Sequence, residues 1–369
     1  MAGEMRPNGI RSRNEIEKNG HVISVRLLNS EGDSMHSLTP RTVGFKPRER
    51  NIFFHILTAC NLSCRHCYIN TEQHGSGTLS RETMDAWLAL FHDPQKKSNL
   101  IFLGGEPTMH PDLAQAIKTA KKIGYDSITV DSNGFLFHDL LTKITPADAV
   151  ISFSLDGPTP AINDPIRGQG VFAVCTANIK KAVALGFDTS LIYTVSKMNI
   201  EHLAQMPVLL QQLGIKRFFI QVIGIRGKSA GKEKDRLQLT PEEWLAAVPK
   251  VAQEAAQRGI HVIFPKVFLA KGEKFECAGR VAENYFIFPN GRVYQCPLCE
   301  DFPVHAFTIV DNGLVHNTGL TEDRFFTLDI AEGCVMNKLL QPGNISYDEQ
   351  GTPLHRISCC LLKQEIGND

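Results

Sequence analysis

Cys60, Cys64 and Cys67 place three thiols within eight residues, directly after the β-rich run NIFFHILT at 51–58. Thiolates are soft, strong ligands, and three on one short loop can wrap one face of a four-iron cluster. One iron then keeps no protein ligand, and an open coordination position is where a bound metal does chemistry. The same loop also suits zinc, with His66 or His55 as the fourth ligand. The chain carries ten cysteines, and metal binding explains them better than disulfides if the protein is cytoplasmic, where thiols stay reduced. A cytoplasmic location is expected because the start, MAGEMRPNGIRSRNE, is polar and no run of about 18 apolar residues appears. Lys+Arg and Asp+Glu balance at 39 each, so neither nucleic acid nor an anionic membrane is expected as a partner.

Other segments able to hold a ligand also close β-rich runs. Gly104-Gly105-Glu106-Pro107 follows LIFLG (100–104); its glycines let a backbone approach a ligand, and Glu106 can accept from an ammonium group. Asp131-Ser132-Asn133-Gly134 ends SITVDS (127–132) and reads locally as a turn. Ser154-Leu155-Asp156-Gly157 ends AVISFSLD (149–156), and a hydroxyl and a carboxylate two residues apart can hold a ribose diol. Arg167 pairs either with a carboxylate of a ligand or with the protein itself. Lys197, after TSLIYTV (189–195), receives no role, and Cys175 lies in a helical pattern as a core residue.

The elements that must position these residues alternate regularly. The five runs above and RFFIQVI (217–223) are interleaved with helical patterns. One starts at Ser80 as N-cap and runs through Phe91; others run from Pro111 to Gly124, from Val171 to Leu185 before Gly186, and from Ile200 to Leu213 before Gly214. Six strands alternating with helices imply a parallel sheet covered by helices, curled or flat. Arg226–Arg236 reads as a polar loop, and Thr240-Pro241 opens a further helix. Residues 1–48 form an irregular arm with one strand candidate at His21–Leu28, either partly ordered or an element that recognises substrate. Residues 49–264 form the α/β domain. Residues 265–369, rich in Gly, Pro and Cys, form a loop-rich unit that depends on metal for its stability.

Taken in order, the motifs resemble those of the radical S-adenosylmethionine (SAM) superfamily. Cys60, Cys64 and Cys67 are similar to its CxxxCxxC loop, with His66 where an aromatic residue is usual and Tyr68 next to it. Gly104, Gly105, Glu106 and Pro107 resemble its GGEP motif, Ser132 and Asn133 its (T/S)NG element, and Ser154 and Asp156 its SLDG ribose motif. The resemblance covers about residues 51–225. It implies a partial (β/α)6 TIM-like barrel with its chemistry at the C-terminal ends of the strands. It also implies a [4Fe-4S] cluster on the three cysteines and SAM on the open iron. His66, Tyr68, Gly104, Gly105, Glu106, Pro107, Ser132, Asn133, Ser154, Asp156 and Arg167 would then be the cofactor-binding residues.

Beyond the barrel, thirteen residues separate Cys277 from Gly291 and four separate Gly291 from Cys296. Pro289-Asn290-Gly291 between β-rich runs is a hairpin signal. This resembles the opening of the SPASM and twitch extensions, which carry auxiliary iron–sulfur clusters. The later spacing departs from the full SPASM pattern, since only Cys299, Cys334, Cys359 and Cys360 follow. Six cysteines suit one auxiliary [4Fe-4S] cluster, with Cys277, Cys296 and two of the other four as ligands. A structural zinc site is the alternative.

The resemblance implies reductive cleavage of SAM to a 5′-deoxyadenosyl radical that takes hydrogen from a substrate. It also implies an electron donor such as flavodoxin or ferredoxin. The substrate is expected to be a peptide or protein, with a small metabolite as the alternative. A non-catalytic zinc or iron–sulfur scaffold is the alternative from another class.

Overall fold

A computed structural model describes residues 39–137, 139–230 and 237–367. Short β-branched and aromatic runs form the strands. They are β1 (Arg41–Val43), β2 (Glu49–His55), β3 (Lys97–Leu103), β4 (Ser127–Ser132), β5 (Val150–Ser154), β6 (Thr189–Val195), β7 (Arg217–Val222), β8 (His261–Pro265), β9 (Phe268–Leu269), β10 (Glu283–Ile287), β11 (Arg292–Tyr294), β12 (Phe307–Val310), β13 (Gly313–His316), β14 (Arg356–Ile357) and β15 (Lys363–Ile366). The six expected strands are β2 to β7; they pair in chain order and all in parallel. β8 adds a seventh, with Arg217 opposite His261.

Alternate residues of these strands face the covering helices. Leu100, Phe102, Val130, Phe153, Leu191 and Ile220 pack with Ile117, Ile179 and Leu210 of the helices in one apolar core. The helices stop and start where the sequence says. Ser80 Oγ accepts from Thr83 N at 3.2 Å ahead of the helix Arg81–Phe91. Thr240 and Glu243 form a reciprocal capping box on Pro241–Gln257. The segment 200–213 is divided: Ile200–Gln205 is 3-10, and the α-helix Met206–Leu213 begins with Pro207 in its first turn. Gly227–Ala230 is a 3-10 turn within the expected polar loop, whose residues 231–236 lie outside the described residues, as does the strand candidate His21–Leu28.

Among the described residues the sheet has 13 strands, because the C-terminal segment extends it at both edges. β10 pairs in parallel with β2 and continues through the hairpin β10–β11 to β12 and β13. A row of side-chain bonds crosses the join: Asn51 Nδ2 to Asn284 Oδ1 (3.1 Å), Asn99 Nδ2 to Asn51 Oδ1 (3.0 Å) and Ser127 Oγ to Asn99 Oδ1 (2.8 Å). At the other edge β15 runs antiparallel between β8 and β1. Cys360 of the C-terminal segment lines the same cavity as the cysteines of the loop after β2. No helix among the described residues is long and apolar enough to cross a membrane.

Candidate cofactor and substrate site

The loop after β2 carries Cys60, Cys64 and Cys67. Burial pushes the Cys60 thiol up to about 11, with smaller upward effects from Glu106, Cys64 and Cys67. Burial likewise raises Cys64, against the pull of Arg167. Cys60 is exposed and Cys64 half-buried, and thiols held up in this way need a positive centre to become thiolates, which is what a bound metal supplies.

The Gly104-Gly105 turn is packed onto this loop. A Cβ on Gly105 would lie 2.2 Å from the Ala59 carbonyl oxygen and 2.4 Å from that of Thr58. The close approach lets Glu106 N donate to Ala59 O at 3.0 Å. The Glu106 carboxylate is buried. Its Oε1 accepts from Thr108 N (3.0 Å) and Ser132 Oγ (2.9 Å) and lies 2.6 Å from Thr108 Oγ1, whose hydroxyl also reaches Leu136 O; its Oε2 accepts from Asn133 N (2.7 Å). A carboxylate oxygen can accept twice, so Oε2 keeps one lone pair for a ligand. Burial raises the Glu106 pKa, while these donors favour its ionised form. Asn133 Nδ2 reaches Asn61 Oδ1 at 2.9 Å, which ties the end of β4 to the cysteine loop.

Asp156 is fully buried and faces the protein. Its Oδ1 accepts from Thr194 N (2.9 Å), and its Oδ2 lies 2.6 Å from Arg167 Nε and 3.3 Å from His66 Nε2. Ser154 and Arg167 line the neighbouring cavity. Sequence spacing placed Ser154 and Asp156 on one face; the structure commits the Asp156 carboxylate to Arg167 instead. Of the two partners open to Arg167, the protein carboxylate is the one observed. Burial lowers the His66 pKa, against the upward pull of Asp156. His66 Nδ1 is buried without a hydrogen-bond partner among the described residues.

Tyr68 connects the loop to the C-terminal segment. Its hydroxyl is 2.8 Å from His55 Nε2, His55 Nδ1 is 3.0 Å from the Ile287 carbonyl, and Phe288 stacks between His55 and His74. Arg226 lies over the Tyr68 ring at 4.6 Å and pairs with Glu300 at 2.5 Å. Arg226 and Glu300 were not expected at the site; the basic stretch at 226–236 was the only sequence signal there. Gly227 (φ +54°) fits against this loop, since a Cβ there would lie 2.5 Å from Cys67 O.

The six C-terminal cysteines come together. Cys277, Cys296, Cys334 and Cys359 each feel the charge of the other three, and burial raises the thiols of Cys277 and Cys334, the latter to about 12. Cys360 interacts with Cys296, Cys334 and Cys359, and Cys299 with Cys296 and Cys360. A hydrogen bond from the Cys360 thiol holds Cys359 down to about 7 while Cys360 is pushed up. Glu322 braces this region from beneath, its buried carboxylate accepting from the backbone of Gln295 (2.7 Å), Cys296 (2.9 Å) and Ala306 (3.2 Å). Among the described residues, no three His, Cys, Asp or Glu side chains meet closely enough to hold a single ion.

Between the two cysteine groups lies a cavity of about 380 Å³. It is lined by Cys60, Cys64, Cys67, Glu106 and Asn133 of the parallel-sheet segment and by Asn337, Gln341, Cys360 and Lys363 of the C-terminal segment. A three-thiol loop, an ammonium acceptor in Glu106 and the cavity they line fit a cluster with SAM beside it.

Comparison with known proteins agrees with this geometry. Residues 55–207 match the family described as the radical SAM superfamily. Among characterised relatives, the chain is 26% identical over 281 residues to the mycofactocin maturase MftC of Mycobacterium ulcerans (strain Agy99), covering 69% of each protein. It is 29% identical over 188 residues to a probable GTP 3′,8-cyclase of Saccharolobus solfataricus, covering 49% of this chain and 59% of the cyclase. Two solved structures share the fold. Streptococcus suis SuiB bound to the precursor peptide SuiA aligns with TM-score 0.58 and 13% identity, over 80% of this chain and 66% of SuiB. Native anSMEcpe with bound AdoMet aligns with TM-score 0.54 and 14% identity, over 82% and 85%.

Proposed function

We propose that this protein cleaves SAM reductively and uses the resulting radical to take a hydrogen atom from a peptide or protein held between the two cysteine groups. The observation that carries the reading is the single chamber joining Cys60, Cys64 and Cys67 to Cys360. Bound on the three thiolates, a [4Fe-4S] cluster supplies the electron that breaks the C5′–S bond of SAM. The chain's own residues orient and enclose. Glu106 Oε2 accepts from the amino group of SAM, and the Gly104-Gly105-Glu106-Pro107 turn sets it against the cysteine loop. Ser132 and Asn133 hold the Glu106 carboxylate. His66 Nδ1 and Ser154 face the ligand, and Asp156 acts behind them by fixing His66 and Arg167. Tyr68 acts from the far side of the loop through His55 and Arg226. The apolar walls exclude water, which a carbon-centred radical requires.

For the auxiliary cluster, the mutual quartet Cys277, Cys296, Cys334 and Cys359 is the best ligand set. It leaves Cys299 as support and Cys360 on the chamber wall. A twitch-like unit of residues 265–369 then lies against a barrel of residues 49–264. A low-potential donor such as flavodoxin or ferredoxin in the cytoplasm would reduce the enzyme. The peptide reading draws on the maturase relative and on the SuiB structure with its precursor peptide.

A second reading, oxidation or rearrangement of a small metabolite, is favoured by one observation: about 380 Å³ suits a small ligand. The test is incubation of reduced holoenzyme with SAM and candidate precursor peptides. A peptide mass change that requires both supports the first reading. SAM cleavage accompanied by change only in a small molecule supports the second.

A further inference from the structure

Three long-chain cations line the chamber: Arg167, Arg226 and Lys363. Arg167 is paired with Asp156, and Arg226 with Glu300. Lys363 differs from both. Its ammonium donates to the Cys360 carbonyl at 3.1 Å and sits 4.9 Å from the centroid of the Phe219 ring. No carboxylate pairs with it among the described residues. An ammonium has three donors, so two remain to be filled. A cation drawn out of water into a largely apolar wall costs free energy unless an anion meets it there.

The fold places this group deliberately. β15 is clamped between β8 and β1, with Lys363 opposite Pro265 on one side and Val43 on the other. The turn that closes on Leu362 N to Cys359 O (2.9 Å) brings Cys360 and Lys363 to the same wall. Asn337, Gln341 and Asn344 line the same chamber, and carboxamides offer both a donor and an acceptor.

We infer that Lys363 anchors a carboxylate carried by the substrate, an acidic side chain or a terminal carboxylate. The nearby amides then take the main-chain groups on either side, and that extension rests on the peptide reading above. The anchor itself does not: a small carboxylic acid would use it equally. The competing role is to neutralise the Cys359 thiolate.

The test uses reconstituted holoenzyme with SAM bound and two probes, N-acetyl-glutamate methylamide and its glutamine counterpart. Ligand-observed NMR titration gives the affinity of each. A charge-assisted pair in a partly buried wall is expected to favour the glutamate probe about tenfold. Lys363→Met should erase the preference and Lys363→Arg should keep it, both with unchanged iron and sulfide content. Equal affinities for the two probes in the unaltered protein overturn the inference without any variant. So does a Lys363→Met protein that retains the preference, or one that keeps it and loses only iron. Whether peptides are modified is read separately by mass, so the anchor and the peptide reading can fail independently.

Discussion

Glu106 offers a severe test, because replacing it with Gln changes one atom. The carboxylate faces Thr108 N, Thr108 Oγ1 and Ser132 Oγ at Oε1, and Asn133 N at Oε2. If the new NH₂ takes the Oε2 position, it faces Asn133 N–H, which stood 2.7 Å from the oxygen. If it takes the Oε1 position, it faces Thr108 N–H. Either way a buried donor loses its acceptor, which costs about 1–3 kcal/mol. The charge-assisted part of the remaining bonds is lost as well. A loss of about 3 kcal/mol lowers the melting temperature of a chain this size by about 4 °C. SAM should suffer more. The open lone pair on Oε2 is the one offered to its amino group, and loss of an ammonium–carboxylate bond weakens binding about tenfold to a hundredfold. Equilibrium dialysis of labelled SAM against anaerobically reconstituted Glu106→Gln measures the second effect, and thermal unfolding of the apoprotein the first. A variant that melts normally and binds SAM within twofold of the parent would refute the assignment of Glu106.

Gly105→Ala should drive the loop carrying Cys60 away, since its new Cβ meets two backbone oxygens within 2.4 Å. Reconstituted iron should fall while circular dichroism stays near normal, and full iron loading would contradict this. Asp156→Asn leaves the Arg167 guanidinium buried without its counter-charge, at a cost of about 3–5 kcal/mol in urea unfolding. Adding Arg167→Met should recover part of it, and a loss below about 1 kcal/mol would count against the pair. Burial lowers His55 and His74 from 6.5 to about 3, so between these values the unfolded chain binds protons that the native chain does not. Stability should therefore fall as pH drops from 6.5 towards 3, by up to about 1.4 kcal/mol per pH unit for each histidine. Urea midpoints of the apoprotein at pH 7 and pH 5.5 check the sign, and His74→Phe should flatten the slope. For the auxiliary site, Cys277→Ala and Cys334→Ala should remove the second set of irons, lowering the count from about eight to about four, and Cys299→Ala should not.

What could be read from the sequence follows the range of the interactions. The strands β2 to β7 and the helices ending at Gly124 and Gly214 are set by local periodicity and local stop signals, and they lie where expected. The hairpin at Asn290-Gly291 is also local, and β10 and β11 flank it. The pairing of β10 with β2 joins residues more than two hundred positions apart, and no pattern in either strand announces it. The pairing of β15 with β8 joins residues about a hundred positions apart and is equally unannounced. At the site, Glu106 and Asn133 could be found because motif and strand end coincide. The orientation of Asp156 could not, because it depends on Arg167 and Thr194 arriving from other elements. Arg226 and Glu300 lay in segments that read as a polar loop and as the surroundings of a cysteine pair. Their contact exists only because the C-terminal segment folds back over the barrel.

The central claim is tested most directly by reducing the anaerobically reconstituted protein in the presence of SAM and measuring 5′-deoxyadenosine. The account expects formation by the parent protein and none by Cys60→Ala, Cys64→Ala or Cys67→Ala. Cys277→Ala should retain SAM cleavage while losing product formation. An intact, reduced, iron-loaded parent protein that yields no 5′-deoxyadenosine would contradict the account.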